Sequence, residues 1–224
     1  LSGISRNSRV YKIELSYDRS LDQRLVLGKS LLSYTAINES AKTSPLFSVE
    51  GESGLIIKGT ATIPQLLRSS QIPDDPATFW NLNSEEGTGL SIDNEDVTPS
   101  NQPCVEWKDE QDHSKGVRFR ITYHDTILPG RAKHVSLKTK CFYCVNDYVV
   151  RRIGSYARDL SVFVSKPADI EIYVAWFLTA RGKETEIVVH PADSTETSYY
   201  QRVEGILVPG NGFVLMWWRR RRQG

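Results

Sequence analysis

Apolar and polar residues alternate with a period of two through much of the chain, which is the pattern of β-strands that bury one face. The alternation is clear in segments 9–17, 53–63, 116–124 and 134–145, and it recurs in shorter stretches of 159–218. Clusters of Pro, Gly, Asn and Asp separate these segments and predict turns between the strands. In the first segment the predicted apolar face consists of every second residue: Tyr11, Ile13, Leu15 and Tyr17.

Helical periodicity is scarce. The best candidate for a helix is IPQLLRSS (63–70), where a proline lies near the start and two leucines provide an apolar side. Residues 72–111 form an acidic segment rich in Pro, Asn and Ser, with little periodicity. A loop of this length in a compact domain is functional, disordered or contains short elements of its own. Its aromatic residues Phe79, Trp80 and Trp107 favour packing over complete disorder.

Many short strands separated by turns predict an all-β fold, a jelly roll or another antiparallel β-sandwich, with one or two short helices and a long acidic loop. The 224 residues, 39% of them hydrophobic, suit a single domain (1–224) that ends in a basic tail at 219–224. The net charge of +1 excludes a generally basic nucleic-acid-binding protein, although positive charge can be concentrated locally. Apolar runs are too short to cross a bilayer, so no membrane span is predicted.

The sequence CFYCV contains two cysteines three positions apart, Cys141 and Cys144, a spacing that binds zinc or supports disulfide chemistry in a tight turn. Here the flanking residues alternate as in a strand, and strand residues three apart point to opposite faces. The remaining cysteine, Cys104, is distant in sequence, and the four histidines lack the spacing of a zinc site. We therefore interpret the cysteines as strand residues and predict no metal or cofactor site.

Four other short motifs resemble known sites but lack essential features. LGKS (27–30) matches the end of a phosphate-binding loop, but position 23, where a glycine is required, is Gln23. In YHDT (123–126) the His and Asp are adjacent on a predicted strand, so their side chains diverge. IDNEDV (92–97) lacks the glycine and distal glutamate of an EF-hand, although a loose surface cation site stays open. NES (38–40) is an N-glycosylation sequon, which has meaning only in a secretory compartment. No catalytic residue is predicted, and an enzyme built from scattered residues is the least favoured alternative.

The strongest local feature is the C-terminal sequence FVLMWWRRRRQG, in which two tryptophans precede four consecutive arginines. One interpretation is contact with RNA or DNA phosphates, with tryptophan stacking on bases, or contact with an anionic membrane surface. A second is ion pairing with the acidic segment 84–112 of the same or a neighbouring subunit. A third is a passive solvated tail or a basic cleavage signal. The residues concerned are Arg219, Arg220, Arg221 and Arg222.

The segment GSYARDLSVFVSKPADIEIYVAWF (154–177) contains two alternating strands joined by a short polar turn at Pro167. It resembles the last two strands of the jelly-roll coat proteins of picorna-like positive-strand RNA viruses, and LPGRAKHVSLKTKCFY (128–143) is similar to an earlier strand of that fold. The resemblance implies a capsid subunit that assembles with copies of itself or homologous subunits into an icosahedral shell around genomic RNA. It places the protein in the virion, assembled in the host cytoplasm.

The first residue is Leu1 and the single methionine is Met216, so we expect a trimmed chain or a piece cut from a longer precursor. Cleavage from a polyprotein agrees with the resemblance to viral coat proteins. In such a subunit the large apolar side chains that are exposed on the monomer are covered on assembly. The expected assembly contacts are Phe79, Trp80 and Trp107.

A second resemblance involves 168–218, which is similar to the GOLD-type β-sandwich domains of trafficking adaptors. It implies an adaptor that binds a protein or a lipid head group. We expect a non-enzymatic β-sandwich that assembles with copies of itself or with homologous partners, and the adaptor is the alternative. The residues that match the late G-x-[FY]-x-L-x-W strand of those domains are Gly212, Phe213, Leu215 and Trp217.

Overall fold

The computed structural model describes residues 4–17, 24–40, 46–54, 89–97, 104–107, 110–111, 117–179, 185–188 and 192–220. Within these ranges the protein consists of fifteen β-strands joined by turns and contains no helix. In chain order the strands are β1 (Ile4–Ser16), β2 (Leu25–Asn38), β3 (Leu46–Gly54), β4 (Gly89–Ile92), β5 (Glu95–Asp96), β6 (Cys104–Trp107), β7 (Val117–Thr126), β8 (Ala132–Cys144), β9 (Asp147–Arg152), β10 (Ala157–Ser165), β11 (Ile170–Thr179), β12 (Thr185–Val188), β13 (Asp193–Ser194), β14 (Ser198–Leu207) and β15 (Gly212–Arg219).

The described strands form a large sheet of eight strands, a second sheet of four and a third of three. The large sheet has the spatial order β13–β14–β10–β1–β2–β8–β4–β5, the second β12–β11–β15–β9 and the third β3–β7–β6. All the recorded strand pairs are antiparallel except β1 with β10, which is parallel. Parallel neighbours need a long connection. Here the chain passes through β2 to β9 before it returns beside β1.

The large sheet and the four-stranded sheet enclose the core and form a sandwich-like arrangement. Tryptophans of the smaller sheet bridge to the larger one. The indole nitrogen of Trp176 donates a hydrogen bond to Gln201 Oε1 (2.7 Å), and that of Trp217 donates to the Cys144 carbonyl oxygen (3.0 Å). The predicted all-β sandwich is therefore confirmed. The buried aromatic and aliphatic side chains at its centre include Tyr11, Ile13, Tyr143, Val162, Val174, Trp176, Phe213, Leu215 and Trp217.

The alternation read from the sequence corresponds to burial along β1. Tyr11, Ile13 and Leu15 are each at most 3% exposed, whereas Lys12 and Glu14 lie on the outer face of the sheet. The CFYCV sequence also lies where the alternation placed it, at the end of strand β8. Alternation with a period of two shows which face of a strand is buried, and the other face of these strands is exposed to solvent.

Several predicted features fall wholly or partly outside the described residues. The helix predicted at 63–70, together with Phe79 and Trp80, lies outside them, as does most of the strand predicted at 53–63. The described parts of the acidic segment 72–111 contain three short strands, β4, β5 and β6. Strand β4 pairs with β8 and so belongs to the large sheet.

Strand β2 explains why LGKS is not a phosphate-binding loop. Gly28 lies within this strand, where the ring of the buried Tyr143 packs against it so closely that a Cβ atom at position 28 would overlap the ring. A glycine at this point makes room for a large side chain of the neighbouring strand. The backbone amides here are committed to strand pairing with β1 and β8 rather than to a phosphate.

Asn38, the first residue of the sequon, ends β2 and has a fully buried side chain. Its Nδ2 donates to the Ile127 carbonyl oxygen (2.7 Å), and its Oδ1 accepts hydrogen bonds from the backbone nitrogen and hydroxyl of Ser40. The side chain therefore holds the turn after β7 against the end of β2. A buried amide with both ends bonded is not accessible for glycan attachment.

Candidate functional site

A β-bulge in β1 sets the geometry of the candidate site. Ser8 and Arg9 of β1 together stand opposite a single residue of β2, Tyr34, and Ser8 has a positive φ of 51°. Such a bulge shifts the alternation of side chains along the strand. Without it, residues three apart such as Arg6 and Arg9 would point to opposite faces. With it, both arginines face the space between the sheets.

Matching irregularities lie in β10, which is the neighbour of β1 in the large sheet, and in β14, which is the next strand beyond β10. In β10, Asp159 has a positive φ of 57°, and the register with β14 shifts immediately after Arg158. In β14, Gly205 has a φ of 100°, and its backbone nitrogen donates to Asp159 Oδ1 (2.9 Å). The irregularities of β1, β10 and β14 thus line up across the sheet. β-Bulges are over-represented next to functional sites, where they re-aim side chains.

Between the sheets, beside the bulge, lies a cavity of about 290 Å³. The large sheet contributes Arg6 and Arg9 to its lining, and the smaller sheet contributes Arg151 and Arg152 at the end of β9. Apolar side chains of both sheets and the hydroxyl pair Ser30–Thr139 complete the wall. Among the described lining residues there is no Asp, Glu, His or Cys. The described lining therefore contains four arginines and no acidic side chain.

Arg9 is the most buried of these cations, with 8% of its surface exposed. Burial first, and then the nearby charge of Arg6, lower the pKa of its guanidinium to about 10, against a smaller opposing effect of Tyr34. A buried charge is tolerated when it is paired and hydrogen-bonded. Neither the ion pairs nor the side-chain hydrogen bonds recorded for the described residues provide such a partner for Arg9.

Several buried polar atoms at the cavity have no hydrogen-bond partner. They are Arg6 Nε, Arg9 Nη1 and the Tyr11 hydroxyl, and all three belong to β1. Each unsatisfied buried donor costs about 1–3 kcal/mol, more when it is charged. Three such atoms side by side in a native fold call for a specific explanation, and binding of an acceptor is one of the recognised ones.

Aromatic rings partly compensate the buried charges. The Cζ atoms of Arg6 and Arg9 lie 4.9 and 5.6 Å from the centroid of the Tyr34 ring, and Arg151 Cζ lies 5.4 Å from that of Tyr11. Such cation–π contacts orient a guanidinium and leave its N–H edge available for hydrogen bonds. Guanidinium groups held in this way suit planar bidentate binding of carboxylate or phosphate oxygens.

The C-terminal arginines predicted to contact RNA or a neighbouring subunit are placed differently. Arg219 ends β15, forms an ion pair with Asp169 (3.1 Å) and donates a hydrogen bond to the Tyr17 hydroxyl (3.0 Å). Arg220 forms an ion pair with Glu171. These two arginines therefore bind acidic residues beside β11 within the same chain, instead of the acidic 84–112 segment. Arg221 and Arg222 lie outside the described residues, and RNA contact at the tail stays a prediction.

The other predicted positions do not gather at the cavity. Trp107 is half-buried in β6 of the third sheet, and as an assembly contact it stays a prediction. Asp125 of the YHDT motif forms an ion pair with Lys133 and accepts a hydrogen bond from the Tyr123 hydroxyl, and these contacts lower its pKa to about 2. In the described part of the chain, no three His, Cys, Asp or Glu side chains are grouped so as to hold a metal ion.

Sequence reasoning missed the cavity arginines, although one signal was present. Arg9 has the same strand parity as the predicted apolar face, so alternation alone places a cation among buried residues. The pair Arg151 and Arg152 follows two valines in the sequence, and nothing in that local pattern indicates that both arginines meet Arg9. Arg6 could not be placed, because its orientation depends on the bulge.

Comparison with known proteins gives little further guidance. No family model and no curated protein sequence matches the chain. One similar solved structure is described as a nutrient-binding protein from Legionella pneumophila, with 9% identity and a TM-score of 0.44, over 95% of this chain and 67% of that chain. Another is an M1 zinc metallopeptidase from Deinococcus radiodurans, with 9% identity and a TM-score of 0.41, over 96% of this chain and 42% of that chain. This chain thus spans less than half of that metallopeptidase. Likenesses at this level support no inference about its function.

The described part of the chain contains no helix that is long and apolar enough to cross a bilayer.

Proposed function

We propose that this protein is a non-catalytic binding domain that takes a small anionic ligand into the cavity between its two main sheets. The observation that carries the proposal is Arg9, a buried residue that lines the cavity and whose buried Nη1 atom has no hydrogen-bond partner. An anion supplies what this side chain lacks, because it both neutralises the charge and accepts the hydrogen bond. No other class of small ligand satisfies both needs.

The shape and composition of the cavity also support binding of a multiply charged group. Arginines approach from both sheets, so an anion between them reduces repulsion on either side. The described lining offers no carboxylate, imidazole or thiol for acid–base or nucleophilic chemistry, and the Ser30 and Thr139 hydroxyls are bonded to each other (2.5 Å). Binding without catalysis is therefore the proposed role, and it is compatible with the adaptor interpretation of the sequence.

The proposal is tested by calorimetric titration and thermal unfolding of the full chain with pyrophosphate, inorganic phosphate and citrate, at constant ionic strength set with chloride. We expect saturable 1:1 binding of at least one polyanion and an increase in stability of about 2.7 kcal/mol at a hundredfold excess over its Kd. A second titration uses the Arg158→Met variant, which removes an exposed arginine of β10 outside the cavity and should bind as the wild type does. Weak stabilisation of the same size by all the anions would contradict the proposal. A loss of binding in the Arg158→Met variant would also contradict it.

A second candidate function rests on the outer face of the four-stranded sheet. This apolar face contains Tyr148, Val150, Tyr173 and Trp218, each about 40% exposed. The half-buried Met216 pairs with both Tyr148 and Tyr173 and makes the surface continuous. At one end of this face Glu171 lies opposite Trp218 and forms an ion pair with Arg220. The apolar remainder fits a second copy of itself, because an isologous contact pairs the same patch on both subunits. We propose self-association here, of which the capsid subunit is the specific form suggested by the sequence.

The mass of the native particle, measured by light scattering after size exclusion, tests this second candidate. A megadalton shell is expected for a capsid subunit, and Tyr173→Glu should reduce it to monomers because it places a charge within the apolar face. A dimer that dissociates in Tyr173→Glu would support the contact and contradict the capsid. A monomer at high concentration would contradict both.

A further inference from the structure

The outer face of the large sheet carries a continuous row of side chains on five adjacent strands. Strand registers align Tyr200 of β14, Phe163 of β10, Lys12 of β1, Leu31 of β2 and Lys138 of β8. Neighbouring strands lie about 4.8 Å apart, so the row extends for roughly 20 Å across the sheet. This basic aromatic row faces solvent, on the opposite side of the sheet from the arginine-lined cavity.

Two exposed aromatic rings lie side by side in the row, and the register places the exposed Asp193 of β13 beyond the second of them, Tyr200. Phe163 is 38% exposed and Tyr200 is 37% exposed, and they are direct cross-strand partners. Neither ring takes part in a recorded contact with another ring. Rings that stand on an open sheet at strand spacing can each stack against one planar group, and successive unpaired bases supply such groups.

Two lysines, Lys12 and Lys138, belong to the rest of the row, and Lys29 lies in the neighbouring row on the same face. Lys12, Lys29 and Lys138 line a shallow groove of about 310 Å³ together with Phe163, and Glu14 is the acidic member of its lining. No ion pair is recorded for these three lysines within the described residues. Three ammonium groups against one carboxylate leave the groove positive, although the whole chain is almost neutral. The local concentration of charge that the composition allowed is therefore present on this face.

We propose that the basic aromatic row binds single-stranded nucleic acid, with Phe163 and Tyr200 stacking on two bases and the lysines contacting the phosphates. Stacking requires unpaired bases, because the faces of bases inside a duplex are already covered by their neighbours. An anionic membrane would use the lysines but leave the rings with no planar partner. The site is separate from the cavity, and it is also separate from the C-terminal arginines, two of which are held by acidic residues of β11 and its preceding turn.

The test is fluorescence anisotropy of labelled 12-nucleotide oligo(U) and oligo(dT), with the full chain, at several salt concentrations. We expect binding that weakens as salt rises, with a clear preference over a duplex of the same length. Phe163→Ala and Tyr200→Ala should each weaken binding about fivefold or more, since a stacked base contributes about 1–3 kcal/mol. The double substitution Lys12→Gln and Lys138→Gln should reduce the salt slope by about 1.4.

Matched controls separate this surface from the others. Tyr156→Ala removes a similarly exposed ring (46%) that belongs neither to the row nor to the apolar face of the other sheet, and it should leave the affinity within about twofold. Saturating pyrophosphate, which would occupy the cavity, should not displace the oligonucleotide. The proposal is overturned by absence of binding at low salt, by equal affinity for duplex, or by equal loss in the control variant. It is also overturned if anionic vesicles bind in place of oligonucleotides and Phe163→Ala leaves that binding unchanged.

Discussion

The Arg9→Met variant is expected to be more stable than the wild type in buffer without polyanions, by about 1–3 kcal/mol. In the folded protein, burial and Arg6 lower the pKa of Arg9 to about 10. The folded-state pKa lies below that of the unfolded chain, so the protonated side chain costs stability at every pH below about 10. The cost is fully present at neutral pH and fades only as the pH rises above that value. A shift of this size corresponds to roughly 3 kcal/mol.

Methionine removes the buried charge and keeps most of the volume of the side chain. The variant loses the contact with the Tyr34 ring, which offsets the gain by about 1 kcal/mol. Replacing a buried charge by a well-packed apolar side chain is often stabilising for the same reason. The stability gained by removing the buried charge is therefore larger than the stability lost with the Tyr34 contact.

The same variant is expected to bind polyanions at least tenfold more weakly, because a charge-assisted hydrogen bond contributes about 1.5–3 kcal/mol. Urea unfolding with and without pyrophosphate measures both effects on one protein. In the matched control Arg158→Met, both the stability and the binding should stay close to those of the wild type. A destabilised Arg9→Met variant that still binds pyrophosphate normally would show that Arg9 is a structural residue and would remove the basis of the proposed function.

Trp176→Ala is expected to lower the free energy of unfolding by about 3–5 kcal/mol, the largest loss from a single substitution considered for this protein. Trp176 is fully buried at the centre of the sandwich, with its ring 5.2 Å from that of Phe213. Its Nε1 donates to Gln201 Oε1 in the opposite sheet, and Gln201 is itself buried. Alanine leaves a cavity and removes a hydrogen-bond donor from that buried amide, so two costs add.

The measurement is urea denaturation monitored by circular dichroism, with the slope checked against the wild type to exclude a change in the unfolding mechanism. Trp176→Phe keeps an aromatic ring and loses the N–H group with part of the ring volume, so it should cost less than Trp176→Ala, about 1–3 kcal/mol. Trp218→Ala, which removes a tryptophan that is 44% exposed on the outer face of β15, should cost less than about 1 kcal/mol. Equal losses in Trp176→Ala and Trp218→Ala would show that the sheets are not held together at Trp176.

Strand β2 shows where the sequence pattern was not sufficient. Its first four residues, from Leu25 to Gly28, are all buried, so this part of the strand has no alternation to detect. The LGKS sequence (27–30) instead resembles the end of a phosphate-binding loop. Only the packing of Tyr143 over Gly28 shows why a glycine belongs in a strand at this position.

The C-terminal arginines show a different limit. Their charge was evident from the sequence, but the acidic partners of Arg219 and Arg220 were not. Asp169 and Glu171 become neighbours because β11 and β15 pair with Ile170 opposite Arg219. Strand pairing between distant segments is a tertiary property, and it cannot be predicted from the charge of one segment.

The sequence by itself determined the all-β class, the strand character of most apolar segments and the dry face of β1, because side-chain alternation is a local consequence of extended backbone. Arg9 has the same parity as that buried face, although its position there was recognised only from the structure. Only the tertiary structure decided that β1 lies parallel to β10, that a bulge turns Arg6 to the side of Arg9, and that β9 brings Arg151 and Arg152 to the same cavity. These outcomes depend on register and on the meeting of two sheets, and both arise from contacts between residues far apart in the chain.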